Sequence, residues 1–155
     1  MTLPRNRKTG YFAAIIGSLI GAVLLLNIGG YLGMSYVENF MPNAEFDDVI
    51  PALVGQFIGW WTGEILGCWL SLQWQNHQDA KKTVICLAIL TPLGITIWAV
   101  SYLFLFNWAS DHWSSIQVDR LHNQLRPISV IFTIIALAFL ARFRTKPKSK
   151  NGYFS

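Results

Sequence analysis

A glutamate in the middle of an apolar stretch is the residue of this sequence best placed to do chemistry. Glu64 lies in VGQFIGWWTGEILGCWL, residues 54–70. A charged side chain at the centre of a bilayer costs roughly 2.5–3.5 kcal/mol on insertion scales, so such a residue normally faces protein or water. Helical spacing places Gln56, Trp60, Glu64 and Cys68 on one face. We therefore expect Glu64 to face a neighbouring helix and not lipid.

Several roles are open to this carboxyl group. Hydroxyl and amide groups within the apolar runs could bond to it, namely Asn27, Thr62, Thr91, Thr96 and Thr133. The sequence predicts no Lys, Arg or His at that depth, which favours a neutral, hydrogen-bonded carboxylic acid. This acid could join helices, relay a proton or cation, or contact a polar group of a partner subunit, pigment or lipid. The predicted intramembrane polar site comprises Glu64, Gln56 and Asn27.

The remaining candidates for chemistry are weaker. His112, Asp119 and His122 stand close together in the sequence, but nothing in their spacing fixes the three or four converging ligands that a metal needs. All three histidines of the chain fall outside the apolar runs, which argues against haem or chlorophyll ligation. No motif of a hydrolase, metalloprotease or nucleotide-binding protein occurs. We expect no metal, no cofactor and no enzymatic activity.

Glycines recur every fourth residue in the same stretch and form the glycine stripe of the second apolar run. The first run repeats the spacing in a looser form. Such stripes let two helix backbones approach closely in lipid, where packing and hydrogen bonds must drive association. The stripes predict either an antiparallel pair of the first two helices or a contact with another chain. Their members are Gly17, Gly21, Gly29 and Gly33 in the first run, and Gly55, Gly59, Gly63 and Gly67 in the second.

Four apolar runs set the predicted fold. Hydrophobic residues make up 53% of the 155 residues and charged residues only 13%, about half the charged share of a soluble domain. A span needs about 20 apolar residues, and runs of about that length cover residues 11–33, 49–72, 83–108 and 127–143. We predict one all-α domain, residues 1–155, a polytopic transmembrane bundle of four helices. Pro51 and Pro127 are placed at helix starts, and Pro92 lies inside the third helix.

The basic residues predict the orientation. With both termini on the cytoplasmic side, ten of the twelve Lys and Arg residues lie inside, as the positive-inside rule requires. Basic residues precede the first run as they do in a signal peptide, but the run is longer than a signal core and no clear cleavage site follows. The first helix is therefore expected to be retained. An acidic outer loop spans residues 34–48, an amphipathic outer loop 109–126, and a basic C-terminal tail 144–155.

These features favour a small integral membrane protein without enzymatic activity. The preferred function is an accessory, assembly or stabilising subunit of a larger membrane complex, because glycine surface is extensive and catalytic equipment scarce. The alternative is a small proton- or cation-coupled transporter or channel that uses Glu64. The expected partners are membrane lipids and other membrane subunits, or a second copy through the glycine stripes, and not nucleic acid. The expected location is a bacterial inner membrane or an organellar membrane such as the thylakoid.

Overall fold

The chain folds into four helices joined by short connections. The structure, a computed structural model, describes residues 10–40, 49–77 and 79–145. Helix α1 covers Tyr11–Phe40, α2 Val49–Trp74, α3 Ala80–His112 and α4 Ser115–Thr145. The all-α prediction is confirmed. Four parts of the chain lie outside the described residues: the basic N-terminal residues 1–9, residues 41–48 of the acidic loop, residue 78, and residues 146–155 of the basic tail.

Three of the helices are long and apolar enough to cross a membrane, namely α1, α3 and α4. This indicates a membrane location. The sequence predicts four spans, and α2 is the described helix that is not apolar enough to be counted among them by its hydropathy. Its glycines and tryptophans, together with Gln56 and Glu64, lower its mean hydropathy.

The last two helices extend beyond the predicted spans. Helix α3 has 33 residues and α4 has 31, which corresponds to roughly 45–50 Å at 1.5 Å per residue, against about 30 Å of hydrocarbon. The segment predicted as an amphipathic outer loop lies largely in the first turns of α4. Pro127 is therefore inside α4 and does not begin it. A proline removes one helical hydrogen bond, and packing against neighbouring helices offsets that loss.

The helices form a ring in which each packs against its neighbours in sequence, and α4 closes on α1. Each helix buries one face, whose members recur every four residues as helical geometry requires. Small side chains on α1 and α4 bring the backbones close. The buried faces consist of Ala14, Ser18 and Ala22 in α1; Trp60, Glu64, Cys68 and Leu72 in α2; Thr83, Leu87 and Thr91 in α3; and Ile134, Ala138 and Arg142 in α4.

The outward faces are apolar. Large side chains such as Ile97, Phe104 and Phe132 are exposed by 68%, 76% and 71%. A soluble monomer rarely exposes contiguous apolar surface of this extent. This surface suits the hydrocarbon of a bilayer, while buried polar side chains such as those of Glu64 and Arg142 face the interior of the bundle.

Candidate functional site

Glu64 lies at the centre of the bundle. Its side chain is fully buried, between Trp60 one turn before it and Cys68 one turn after it. The carboxyl oxygen Oε2 accepts a hydrogen bond of 3.1 Å from the indole Nε1–H of Trp60. On α1, the hydroxyl of Ser18 lies 3.4 Å from the backbone oxygen of Glu64. Glu64 therefore faces neighbouring helices on the side of α2 that points away from lipid.

The second carboxyl oxygen of Glu64 is also enclosed. No hydrogen bond to Oε1 forms from the residues that the structure describes. Thr91 of α3 lies beside the carboxyl group, and its hydroxyl donates to the carbonyl of Leu87 at 2.8 Å. Since that hydroxyl hydrogen is already used, Thr91 can only accept a further hydrogen bond. An acceptor beside the carboxyl group suits its protonated, neutral form.

A buried arginine lies in the same interior, where α3 begins and α4 ends. Arg142 of α4 is fully buried, and its Nη1–H donates to the hydroxyl oxygen of Thr83 at 3.0 Å. The Thr83 hydroxyl also lies 2.7 Å from that of Thr145. The sequence predicts no Lys, Arg or His at the depth of Glu64, and it did not anticipate that Arg142, near the end of α4, is buried inside the bundle. The predicted last helix ends near this residue, whereas α4 continues to Thr145 and keeps Arg142 inside.

Cys68 connects the glutamate to the arginine. Its buried thiol is within electrostatic range of both Glu64 and Arg142, and it lies beside the hydroxyl of Ser18. Arg142 in turn is within electrostatic range of Asp79 at the start of α3. We call the buried side chains that follow one another along the bundle axis the polar line. It consists of Trp60, Glu64, Cys68, Arg142 and Thr83.

A cavity of about 350 Å³ lies at the Trp60 end of the polar line, and we call it the outer cavity after the orientation that the sequence predicts. Trp60 forms part of its wall, so the indole separates the cavity from the carboxyl group that it bonds. Arg126 of α4 donates from Nη2 to the Oε1 of Gln56 at 3.0 Å across this cavity. Trp98 of α3 lines the opposite side and donates to the hydroxyl of Ser129 at 2.9 Å.

A second cavity of about 550 Å³, the inner cavity, lies where α2 and α3 are joined. It is more polar, and it is lined by Asp79 and Lys82, which form an ion pair of 2.9 Å. His77 also lines it and is buried against Gly10, whose φ of +68° belongs to the left-handed region that glycine adopts freely. Asp79 therefore lies both on this cavity and within electrostatic range of the inner end of the polar line.

The two glycine stripes face each other. A Cβ added at Gly67 would overlap the carbonyl oxygen of Gly17, and one at Gly55 would overlap that of Gly29. The same relation holds between Gly63 and Gly21, while Gly59 meets Leu25 and Gly33 meets Pro51. The helices are therefore antiparallel and in backbone contact over most of their length. Both stripes are covered within one chain.

The structure does not bring the three predicted polar-site residues together. Glu64 belongs to the polar line, whereas Gln56 and Asn27 line the outer cavity above Trp60. The amide of Asn27 donates to the carbonyl of Val23 in its own helix at 2.7 Å. The polar line includes Arg142, which the sequence interpretation missed. Its spacing from Ile134 and Ala138, each four residues apart, was the available signal.

The histidines of the predicted outer loop also lie apart from one another. His122 is 2.6 Å from the hydroxyl of Tyr102 through its Nδ1, and His112 is 2.8 Å from the carbonyl of Trp108. Within the described ranges, no group of three or more His, Cys, Asp or Glu side chains is arranged to hold a metal.

The chain matches no family model, no curated protein and no solved structure. Its function is therefore inferred from the fold and from the arrangement of these side chains.

Proposed function

We propose that this chain is a multi-pass membrane protein with four spans and both termini on the cytoplasmic side. The support for a fourth span is the pairing of α2 with α1 from Gly33 and Pro51 at one end to Gly17 and Gly67 at the other. If α1 crosses the bilayer, α2 lies at the same depth along it. The support for the orientation is the positive charge of the tails and of the connection between α2 and α3.

We propose further that the protein is a small proton-coupled transporter in which Glu64 takes up and releases the proton. One observation carries this proposal: a buried line of polar side chains, with Glu64 at its centre, runs between two cavities near opposite ends of the bundle. Ionisable residues inside a membrane are costly, and they commonly mark proton relays and substrate pathways. Simple helix–helix adhesion needs only a hydroxyl or an amide.

The neighbours of Glu64 favour a bound proton over a passing metal cation. Trp60 donates to Oε2 of the carboxyl group, and Thr91 beside it already donates its hydroxyl hydrogen to Leu87. A protonated carboxyl group needs no further donor, whereas a metal cation would need several oxygen ligands. Arg142 places a positive charge further along the same line, and a fixed positive charge opposes the free flow of any cation, protons included. The proposal is therefore proton binding coupled to a conformational change, and not an open cation pore.

Proton flux into liposomes tests this function. The purified protein is reconstituted, a pH gradient and a membrane potential are imposed, and an enclosed pH-sensitive dye reports uptake. We expect wild-type flux above empty liposomes and a loss of that flux in Glu64→Gln, which keeps size and hydrogen bonding but cannot ionise. The matched control is Glu38→Gln, because Glu38 is exposed at the end of α1. Equal flux in wild-type and Glu64→Gln liposomes would contradict the proposal.

A second candidate is the accessory or assembly subunit of a larger membrane complex. The observation in its favour is that Trp60 and Leu72 are almost completely buried on either side of Glu64, so the carboxyl group is sealed as an interhelical contact would be. The glycine stripes give no support to this candidate because they cover each other. Co-migration with a large assembly after gentle solubilisation, with unchanged proton permeability in Glu64→Gln, is the result expected of it. Neither candidate is an enzyme.

A further inference from the structure

The outer cavity combines an apolar wall with a positive charge at one end. Its walls include the rings of Phe57, Trp60 and Trp98, and the charge is the guanidinium of Arg126. The more exposed lining residues, such as Val23 and Ile131, belong to α1 and α4. The cavity therefore opens towards the lipid-facing surface between these two helices. Its volume of about 350 Å³ falls in the usual range of ligand-binding pockets.

Arg126 has donors left for a ligand. A guanidinium carries five N–H groups, and among the described residues the one hydrogen bond that its side chain makes is to Gln56. Across residues 10–40, 49–77 and 79–145, no carboxylate lies within ion-pair distance of Arg126. A partly buried arginine without an acidic neighbour is suited to bind a carboxylate or a phosphate, often through two parallel hydrogen bonds.

Gly30 leaves space for Gln56, the hydrogen-bond partner of Arg126. A Cβ at this position would lie 2.9 Å from Cγ of Gln56 and 3.1 Å from its Nε2. The absence of a side chain on Gly30 lets Gln56 lie flat against α1 and reach Arg126. The amide oxygen of Gln56 fixes one edge of the guanidinium, and the amide nitrogen adds a donor nearby.

We infer that the outer cavity binds the anionic headgroup of a membrane amphiphile. Arg126 and Gln56 hold the carboxylate or phosphate, and the apolar chain lies along Trp60 and Val130 and leaves between α1 and α4. The amphiphile is favoured over a small soluble anion because most of the cavity wall is apolar and its opening faces lipid. This inference does not depend on proton transport.

Lipid retention on the purified protein tests the inference. The protein is delipidated in a neutral detergent, mixed with phosphatidylglycerol or phosphatidylcholine, and analysed by native mass spectrometry. We expect wild-type protein to bind one phosphatidylglycerol, and to bind it more tightly than phosphatidylcholine. Arg126→Gln should bind phosphatidylglycerol about tenfold more weakly than wild type does, because a hydrogen bond to a charged group is lost. Arg120→Gln is the matched control, since Arg120 is exposed on the same helix, and it should retain wild-type binding.

A second variant and a second ligand complete the test. Val130→Phe fills the cavity without changing charge and should also displace the lipid; its helical content is checked by circular dichroism. Inorganic phosphate is tested alone as the soluble anion. Phosphate binding that depends on Arg126, without preference for the anionic lipid, would assign the site to a soluble anion. Equal retention of both lipids by wild-type protein, Arg126→Gln and Val130→Phe would overturn the inference.

Discussion

Replacement of Gly55 by alanine should push apart α1 and α2, the two helices with the most extensive contact in the bundle. The added Cβ would overlap the carbonyl oxygen of Gly29 and lie 2.9 Å from its carbonyl carbon. A Cβ atom essentially never lies within 3.0 Å of another heavy atom of this kind, so the overlap with the carbonyl oxygen forces α1 and α2 to move apart by roughly 1 Å. The contact is between backbones, and no side-chain rotation relieves it.

The expected loss of stability follows from two opposing effects. Overpacking of this kind costs about 1–3 kcal/mol, and alanine in place of glycine recovers up to about 1 kcal/mol of helix propensity. We expect a net destabilisation of about 1–2 kcal/mol. Unfolding by SDS in mixed micelles, followed by circular dichroism, measures it.

Gly94 provides the matched control. In Gly94→Ala the new Cβ lies 2.6 Å from Cδ1, 2.8 Å from Cδ2 and 3.1 Å from Cγ of Leu137, which are all atoms of one flexible side chain and not of the backbone. A rotamer change that costs about 0.5–1.5 kcal/mol relieves this contact and is largely offset by helix propensity, so stability should stay close to wild type. A Gly55→Ala variant as stable as Gly94→Ala would refute the backbone contact between α1 and α2.

The remaining predictions concern the polar line and the orientation. Arg142→Gln should lower the free energy of unfolding by about 2–3 kcal/mol, because a buried charged hydrogen bond is lost. Arg144→Gln, in the same helical turn but exposed, should change it by less than about 0.5 kcal/mol. SDS unfolding compares the two variants, and equal losses would place Arg142 in solvent. Trp60→Phe removes the donor to Oε2 of Glu64 and should lower the free energy of unfolding by about 1–2 kcal/mol, as measured by the same assay. This loss should disappear in a Glu64→Leu background. A loss that persists there would assign it to packing alone. The topology is tested with single cysteines in a cysteine-free background and an impermeant thiol reagent added to intact cells. The reagent should label Ser114→Cys, between α3 and α4, and should not label Asn76→Cys, between α2 and α3. The reverse pattern would invert the proposed topology.

The sequence was sufficient for the fold class because length and hydropathy decide it. Apolar runs near 20 residues predict helices, and the described helices begin and end near or beyond those runs. The helix ends were harder to predict, because polar residues near the membrane surface continue a helix without an apolar signal. The amphipathic segment after Trp113 is an example, since it joins α4 instead of forming a loop.

The site was only partly predictable. The four-residue spacing of Trp60, Glu64 and Cys68 was enough to place them on one face, and that face is buried. Arg142 was missed because an arginine near a helix end normally extends to the membrane surface, and its burial depends on the small side chains of neighbouring helices. Sequence spacing within one helix also gives no information on which residues of different helices meet. For that reason Gln56 was grouped with Glu64, although its hydrogen-bond partner is Arg126 on α4.

Measurement of the protonation state of Glu64 tests most directly whether this residue takes up and releases a proton. Infrared difference spectra of the protein in lipid, recorded between acidic and alkaline buffer, detect the C=O band of a protonated carboxyl group. We predict a band that changes with pH in wild-type protein and in Glu38→Gln and that is absent from Glu64→Gln. A Glu64 band that stays constant over the whole pH range in which the protein is folded would contradict proton exchange and leave the carboxyl group as a fixed contact between helices.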